Sequence, residues 1–94
     1  MRSGIDPTAV DPVEEADDSL RRRAVREALQ TLPERERRVL ELRFGFAGQQ
    51  QALEAIGREL GITRERVRQL EGEALAKLGR ELGDVADDDL ARAA

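Results

Sequence analysis

Ninety-four residues, 2% aromatic and with no apolar run longer than Ala74-Leu75-Ala76, bound the chain to one small aliphatic-cored domain or part of a larger protein, and exclude a membrane span or an apolar signal region. The absence of Cys and His excludes a disulfide framework, a thiolate zinc site and the most common acid–base side chain, so no cofactor, metal or catalytic centre is expected. The net charge of −4 hides a basic centre: fourteen basic against ten acidic residues over 21–83, between one Arg against six acids over 1–20 and one Arg against four Asp over 84–94.

Residues 1–18 read as a disordered acidic linker arm, broken by Pro7 and Pro12 and without an apolar period. A first helix is predicted to start after Asp17, Asp18 or Ser19, each able to cap it. Leu20, Ala24, Ala28 and Leu29 form its apolar stripe, Arg21, Arg22, Arg23 and Arg26 its basic part, and Leu32 its end. Pro33 suits the first turn of a second helix, because its missing N–H costs nothing there. Glu34 and Glu36 then lie near the positive end of the helix dipole, and Val39, Leu40 and Phe44 face the core. Gly45 stops the helix, and Phe46 to Gln51 form a polar loop.

The stretch Leu53–Glu71 organises the rest. Leu53, Ile56 and Leu60 recur at i, i+3 and i+7, one face of a helix. Gly61 supplies a positive-φ stop, Ile62 an apolar contact in the turn, and Thr63 a side-chain cap for the next helix. Two helices joined by a turn of about three residues containing Gly are a helix-turn-helix. In the second, Val67, Leu70, Ala74 and Leu78 fall on one arc at about 100° per residue, and Glu65, Gln69, Gly72 and Ala76 on the opposite one. Arg64 and Arg68 lie beside that outward arc. Gly79 and Gly83 end the helical part, and residues 84–94 are expected to be a frayed acidic tail with at most one helical turn after Asp87–Asp89. The predicted architecture is all-α, a small bundle of four to five helices over residues 19–83 carrying the helix-turn-helix. The chain is expected to be cytoplasmic and monomeric.

The segments LPERERRVLELRFG and LGITRERVRQLEGEALAKL closely resemble the carboxy-terminal region 4 of a primary-type bacterial RNA polymerase sigma factor. The resemblance covers roughly residues 20 to 78, and its most specific parts are Arg43–Gly45 and Thr63–Glu71. It implies binding to double-stranded promoter DNA at the −35 element within RNA polymerase, with a grip on the flap of the polymerase β subunit and contacts to activators or anti-sigma factors. The residues matching the family's base readers are Arg64, Glu65 and Gln69. Arg donates twice to guanine, Glu accepts from the cytosine amino group, and Gln pairs with adenine. Matching phosphate contacts are Arg35, Arg43 and the backbone near Leu53 and Glu54, while Arg66 and Arg68 would serve phosphates or a neighbouring activator. Ala52 stands where the family usually has Thr, Glu73 where a basic residue is common, and the tail is acidic rather than basic. The resemblance also implies a piece of a longer protein. Two other readings are a protein-interaction module that holds polymerase or an anti-sigma factor without reading DNA, and the output domain of another helix-turn-helix regulator.

Overall fold

The structure, a computed structural model, describes residues 12–94, with side chains from Ser19 onward. Five helices follow in order: α1 (Pro12–Leu29), α2 (Glu34–Phe44), α3 (Leu53–Leu60), α4 (Arg64–Leu82) and α5 (Asp87–Ala93). No strand occurs among the described residues. This is the all-α bundle with a helix-turn-helix that the periodicities predict.

Several boundaries differ from the sequence expectation. Residues 1–11 of the expected arm lie outside the described residues, while residues 12–18 form the first turns of α1. Pro12 is tolerated as the first helical residue. Leu20, placed in the apolar stripe from sequence, is 63% exposed. The stripe is phased by Val25, Ala28 and Leu29, which are buried, and Leu20 lies about 140° around the helix from Val25. The helix ends at Leu29. A tight turn follows in which the N–H groups of Gln30, Thr31 and Leu32 donate to the carbonyls of Glu27, Ala28 and Leu29. Pro33 stands just outside α2, in extended conformation, and its carbonyl accepts the N–H of Arg37 at 2.9 Å.

The core has two parts. In the first, Val25, Ala28 and Leu29 of α1 meet Leu40 and Phe44 of α2, Ala74 and Leu78 of α4, and Leu90 and Ala93 of α5. In the second, Val39 and Leu42 of α2 meet Ile56 of α3 and Val67 and Leu70 of α4. The helices α2 and α4 contribute to both, so they form the spine on which the helix-turn-helix is mounted. All four residues assigned to the buried arc of α4 are 4% exposed or less. Gly79 does not end that helix; Gly83 does, with φ 79°.

The tail is the largest correction. It was expected to be frayed, yet Leu90 and Ala93 are buried against the first part of the core. Their three-residue spacing puts both on one face of α5. The Asp89 carboxylate accepts the N–H of Ala86 at 3.1 Å and closes the start of the helix. Arg21 of α1 donates to the Asp84 carbonyl at 2.8 Å and to Asp89 at 3.4 Å, and Arg26 donates to the Ala93 carbonyl at 3.2 Å. Two arginines from the basic part of α1, Arg21 and Arg26, thus clamp α5.

The Asp89 carboxyl is held below its ordinary value of 3.8, first by the Ala86 N–H and then by Arg21, against an opposing desolvation. A depressed carboxylate contributes stability that is full above the unfolded value and is lost as pH falls through the lower folded value. Docking of α5 is therefore expected to loosen below the ordinary carboxylate range. Amide exchange at Leu90 and Ala93, followed from about pH 5 to about pH 2, should accelerate there. An Asp89→Asn variant should lose that pH dependence; if it keeps the wild-type profile, Asp89 is not the group responsible.

Candidate nucleic-acid interface

The interface is built on the turn between α3 and α4. The first, Ala52, lies in extended conformation before α3 and offers no side-chain cap, so the first-turn N–H groups of α3 depend on solvent or a ligand. Leu53, Leu60 and Ile62 lie half-buried on the second part of the core, around fully buried Ile56. Gly61 adopts φ 73°, as expected. The Gly57 carbonyl accepts N–H donors from both Gly61 and Ile62, the latter at 2.9 Å. Thr63 is extended, and its Oγ1 accepts the N–H of Arg66 at 3.0 Å. Those bonds fix the direction in which α4 leaves the turn.

With Val67 and Leu70 buried, the first two turns of α4 turn outward. Arg64, Glu65, Arg66, Arg68 and Gln69 are all exposed, and so are Gly72 and Ala76 beyond them. The side chains on this face are partly paired. Arg68 Nε donates to both Glu65 oxygens, at 3.1 and 3.0 Å, and Arg66 Nη1 donates to Gln69 Oε1 at 3.4 Å. The Arg68 hydrogen bond is the main reason the Glu65 carboxyl lies below its ordinary value of 4.5, with Coulombic help from Arg68 and Arg64.

Arg43, Ala52, Leu53, Glu54 and Arg64 line one open cleft of about 340 Å³. The cleft thus has Arg43 and Arg64 beside the uncapped start of α3, a combination suited to an anion such as a phosphate, with Glu54 as the one acid in the lining. Arg43 is also bonded to Glu71 of α4 at 3.1 Å, which ties the end of α2 to α4. Arg35 lies apart from this group. It lines a second cleft of about 430 Å³ with Glu34, Arg38 and Leu60, and Arg38 is paired with Glu59 of α3 at 3.0 Å. The arrangement therefore gathers Arg43, Leu53, Glu54 and Arg64, displays Glu65, Arg66, Arg68 and Gln69 on the neighbouring face, and leaves Arg35 at a separate cleft.

Two residues that shape this site were not singled out from the sequence. Gly57 is buried where α3 crosses the turn, and a Cβ there would lie 2.7 Å from the Ile62 carbonyl oxygen. The available signal was a Gly inside an amphipathic helix, which needs a packing reason to offset its propensity cost. Glu36, read as a dipole-favoured surface acid, is buried and bonded to Lys77 of α4 at 2.7 Å. The signal lay in its spacing: Glu36 is three and four residues before Val39 and Leu40, on their face of α2, whereas Glu34 stands at those offsets from Arg37 and Arg38.

No cluster of three or more potential metal ligands occurs among the described residues, and no described helix is long and apolar enough to cross a membrane.

Residues 28–80 match the family described as "Sigma-70, region 4". Over 74 residues the chain is 43% identical to RNA polymerase sigma factor SigA4 of Synechococcus elongatus, and 45% identical to sigma factor SigA of a Bacillus species and of Listeria monocytogenes. Each alignment covers 78% of this chain but only 20% to 24% of the relative. The chain thus spans about a quarter or less of the curated relatives it matches.

Proposed function

Since the chain belongs to the sigma-70 region 4 family, we propose that it reads the −35 element of promoter DNA as one domain of an RNA polymerase sigma factor. A single observation carries this reading. The first two turns of α4 hold Arg64, Glu65 and Gln69 in solvent while Val67 and Leu70, on the same turns, are 0% and 4% exposed. A helix so pinned can enter a major groove with its amino-terminal residues against base edges. Arg64 then donates to guanine, Glu65 accepts from a cytosine amino group, and Gln69 addresses adenine or a neighbouring base. Arg43 and the first turn of α3 hold one phosphate and Arg35 a second, setting the register without reading sequence. The domain has no catalytic part in this scheme. Its protein partner is polymerase, through the β subunit flap, with activators or anti-sigma factors as further candidates.

The test is a salt-dependent titration of the chain with a −35 duplex and with duplexes altered one base pair at a time. Arg64→Ala or Glu65→Ala should each cost about 1–3 kcal/mol and relax preference at one base pair. Arg35→Ala and Arg43→Ala should weaken binding to every duplex alike and reduce the salt slope by about one charge each. Equal binding of all duplexes by the unaltered chain, together with intact binding to the flap, would instead favour a module that holds polymerase without reading DNA.

A further inference from the structure

We infer that Arg68 is a positioning residue for base recognition, holding the Glu65 carboxylate in one place and cancelling its charge, rather than an independent phosphate anchor. This rests on the promoter-reading function proposed above and adds to it a residue that sets specificity through another. The observation is the geometry of the pair. Arg68 lies three residues after Glu65, its Nε donates to both carboxylate oxygens at 3.1 and 3.0 Å, and its Nη2 donates to Oε1 as well.

The pair has little structural work to do. The side chains are 62% and 61% exposed, so it buries almost nothing and joins no second element. Its effect falls on Glu65 itself. An exposed Glu moves freely about its side-chain torsions, and that freedom is lost when it must meet one amino group in a groove. Arg68 removes part of that freedom beforehand. A bare carboxylate entering a groove also faces two rows of phosphate charge, whereas a carboxylate paired with a guanidinium enters close to neutral. Pairing does not exhaust the acceptor: a carboxylate has about four lone-pair sites, so one remains for a cytosine N–H. The lowered Glu65 value and the raised Arg68 value, each caused first by their mutual hydrogen bond, agree with a pair that stays ionised.

Acting as a phosphate anchor, Arg68 would turn its remaining N–H groups to the DNA backbone, and its removal would weaken all duplexes equally. Acting through Glu65, it would alter one base preference. A double-substitution cycle on the 94-residue chain separates these cases, with the Glu65→Ala variant identifying the base pair that Glu65 reads. Arg68→Ala is expected to lower discrimination at that pair by about tenfold, to leave discrimination at the Arg64 pair unchanged, and to have little further effect in the Glu65→Ala background. Arg68→Lys should recover overall affinity but only part of the discrimination, since an ammonium cannot span both oxygens in a fixed plane. A uniform loss on every duplex, repeated in full in the Glu65→Ala background, would overturn the inference and make Arg68 an anchor. Failure of the unaltered chain to prefer any duplex would be a different result, removing the promoter-reading function and this role with it.

Discussion

Replacing Lys77 with Met is expected to destabilise the domain by about 3 kcal/mol, a large share of the roughly 5–15 kcal/mol that holds such a domain together. The reason is Glu36. Its side chain is 7% exposed, Oε2 accepts the Lys77 ammonium at 2.7 Å, and Oε1 is buried without a hydrogen-bond partner. Removing the cation leaves a buried carboxylate with neither oxygen bonded to the protein. The Lys77 side chain is 39% exposed, so water offers some relief, and the lower end of the usual cost of breaking a buried pair applies. Removing the charge along with its partner should recover much of the loss. A Glu36→Gln, Lys77→Met double variant is therefore expected to be more stable than Lys77→Met alone, a strong non-additivity. Urea midpoints followed by helical circular dichroism measure the parent, the two single variants Glu36→Gln and Lys77→Met, and the double variant. A Lys77→Met midpoint within the error of the parent would show that the carboxylate is already solvated and that the pair holds nothing. The consequence for function is positional. Glu36 lies at the start of α2, which also carries Arg35 and Arg43, and Lys77 lies on α4, which carries Arg64, Glu65 and Gln69, the proposed base readers. The pair ties α2 to α4.

The helix-turn-helix was legible because its signals are local. Gly61 had to leave the helical conformation, Thr63 had an oxygen at the right offset, and the arc Val67, Leu70, Ala74, Leu78 had no competing phase. The stop at Gly45 and the core positions Val39, Leu40 and Phe44 were readable on the same grounds. What was not legible depended on distant partners. The sequence ADDDLARAA contains two apolar positions worth burying, but whether they are buried depends on a groove formed by α1, α2 and α4, sixty residues and more away for α1. The phase of α1 was misjudged because Leu20 is the bulkier residue and Val25 the better placed one; periodicity alone weighs both alike. The partner of buried Glu36 could not be read locally, because Lys77 lies forty-one residues later. Within the site, angular position placed Glu65 and Gln69 on the outward face with Arg64 and Arg68 beside it, and the structure exposes all four, whereas their assignment as base readers rests on the family resemblance. The pairing of Gln69 with Arg66 and of Glu65 with Arg68, and the separation of Arg35 from the Arg43 cleft, are properties of side chains in three dimensions.

Substitution of Gly57 by Ala should cost about 2–3 kcal/mol and damage DNA recognition beyond that loss. Elsewhere in a helix the change would help, since Gly is roughly 1 kcal/mol worse than Ala. Here the new Cβ would approach the Ile62 carbonyl oxygen to 2.7 Å and lie 3.5 Å from the Arg64 nitrogen and the Thr63 carbonyl carbon. The clash is with a backbone oxygen, so no side-chain rotation relieves it, whereas the two 3.5 Å approaches are ordinary contacts. The turn has to move away from α3, and with it the Ile62 N–H bond to the Gly57 carbonyl. Because Thr63 caps α4 from this turn, displacement of the turn tilts the face that carries Arg64, Glu65 and Gln69. Gly72 supplies the internal comparison: an added Cβ there meets nothing within 4 Å. Gly72→Ala should therefore stabilise the domain by up to about 1 kcal/mol, through helix propensity alone. Opposite shifts of the two urea midpoints are the expected result. The decisive measurement is binding of Gly57→Ala under conditions where it remains folded. Wild-type discrimination among duplexes there would mean that α3 and the turn separate without reorienting α4, and that the close approach at Gly57 is not what aims the recognition helix.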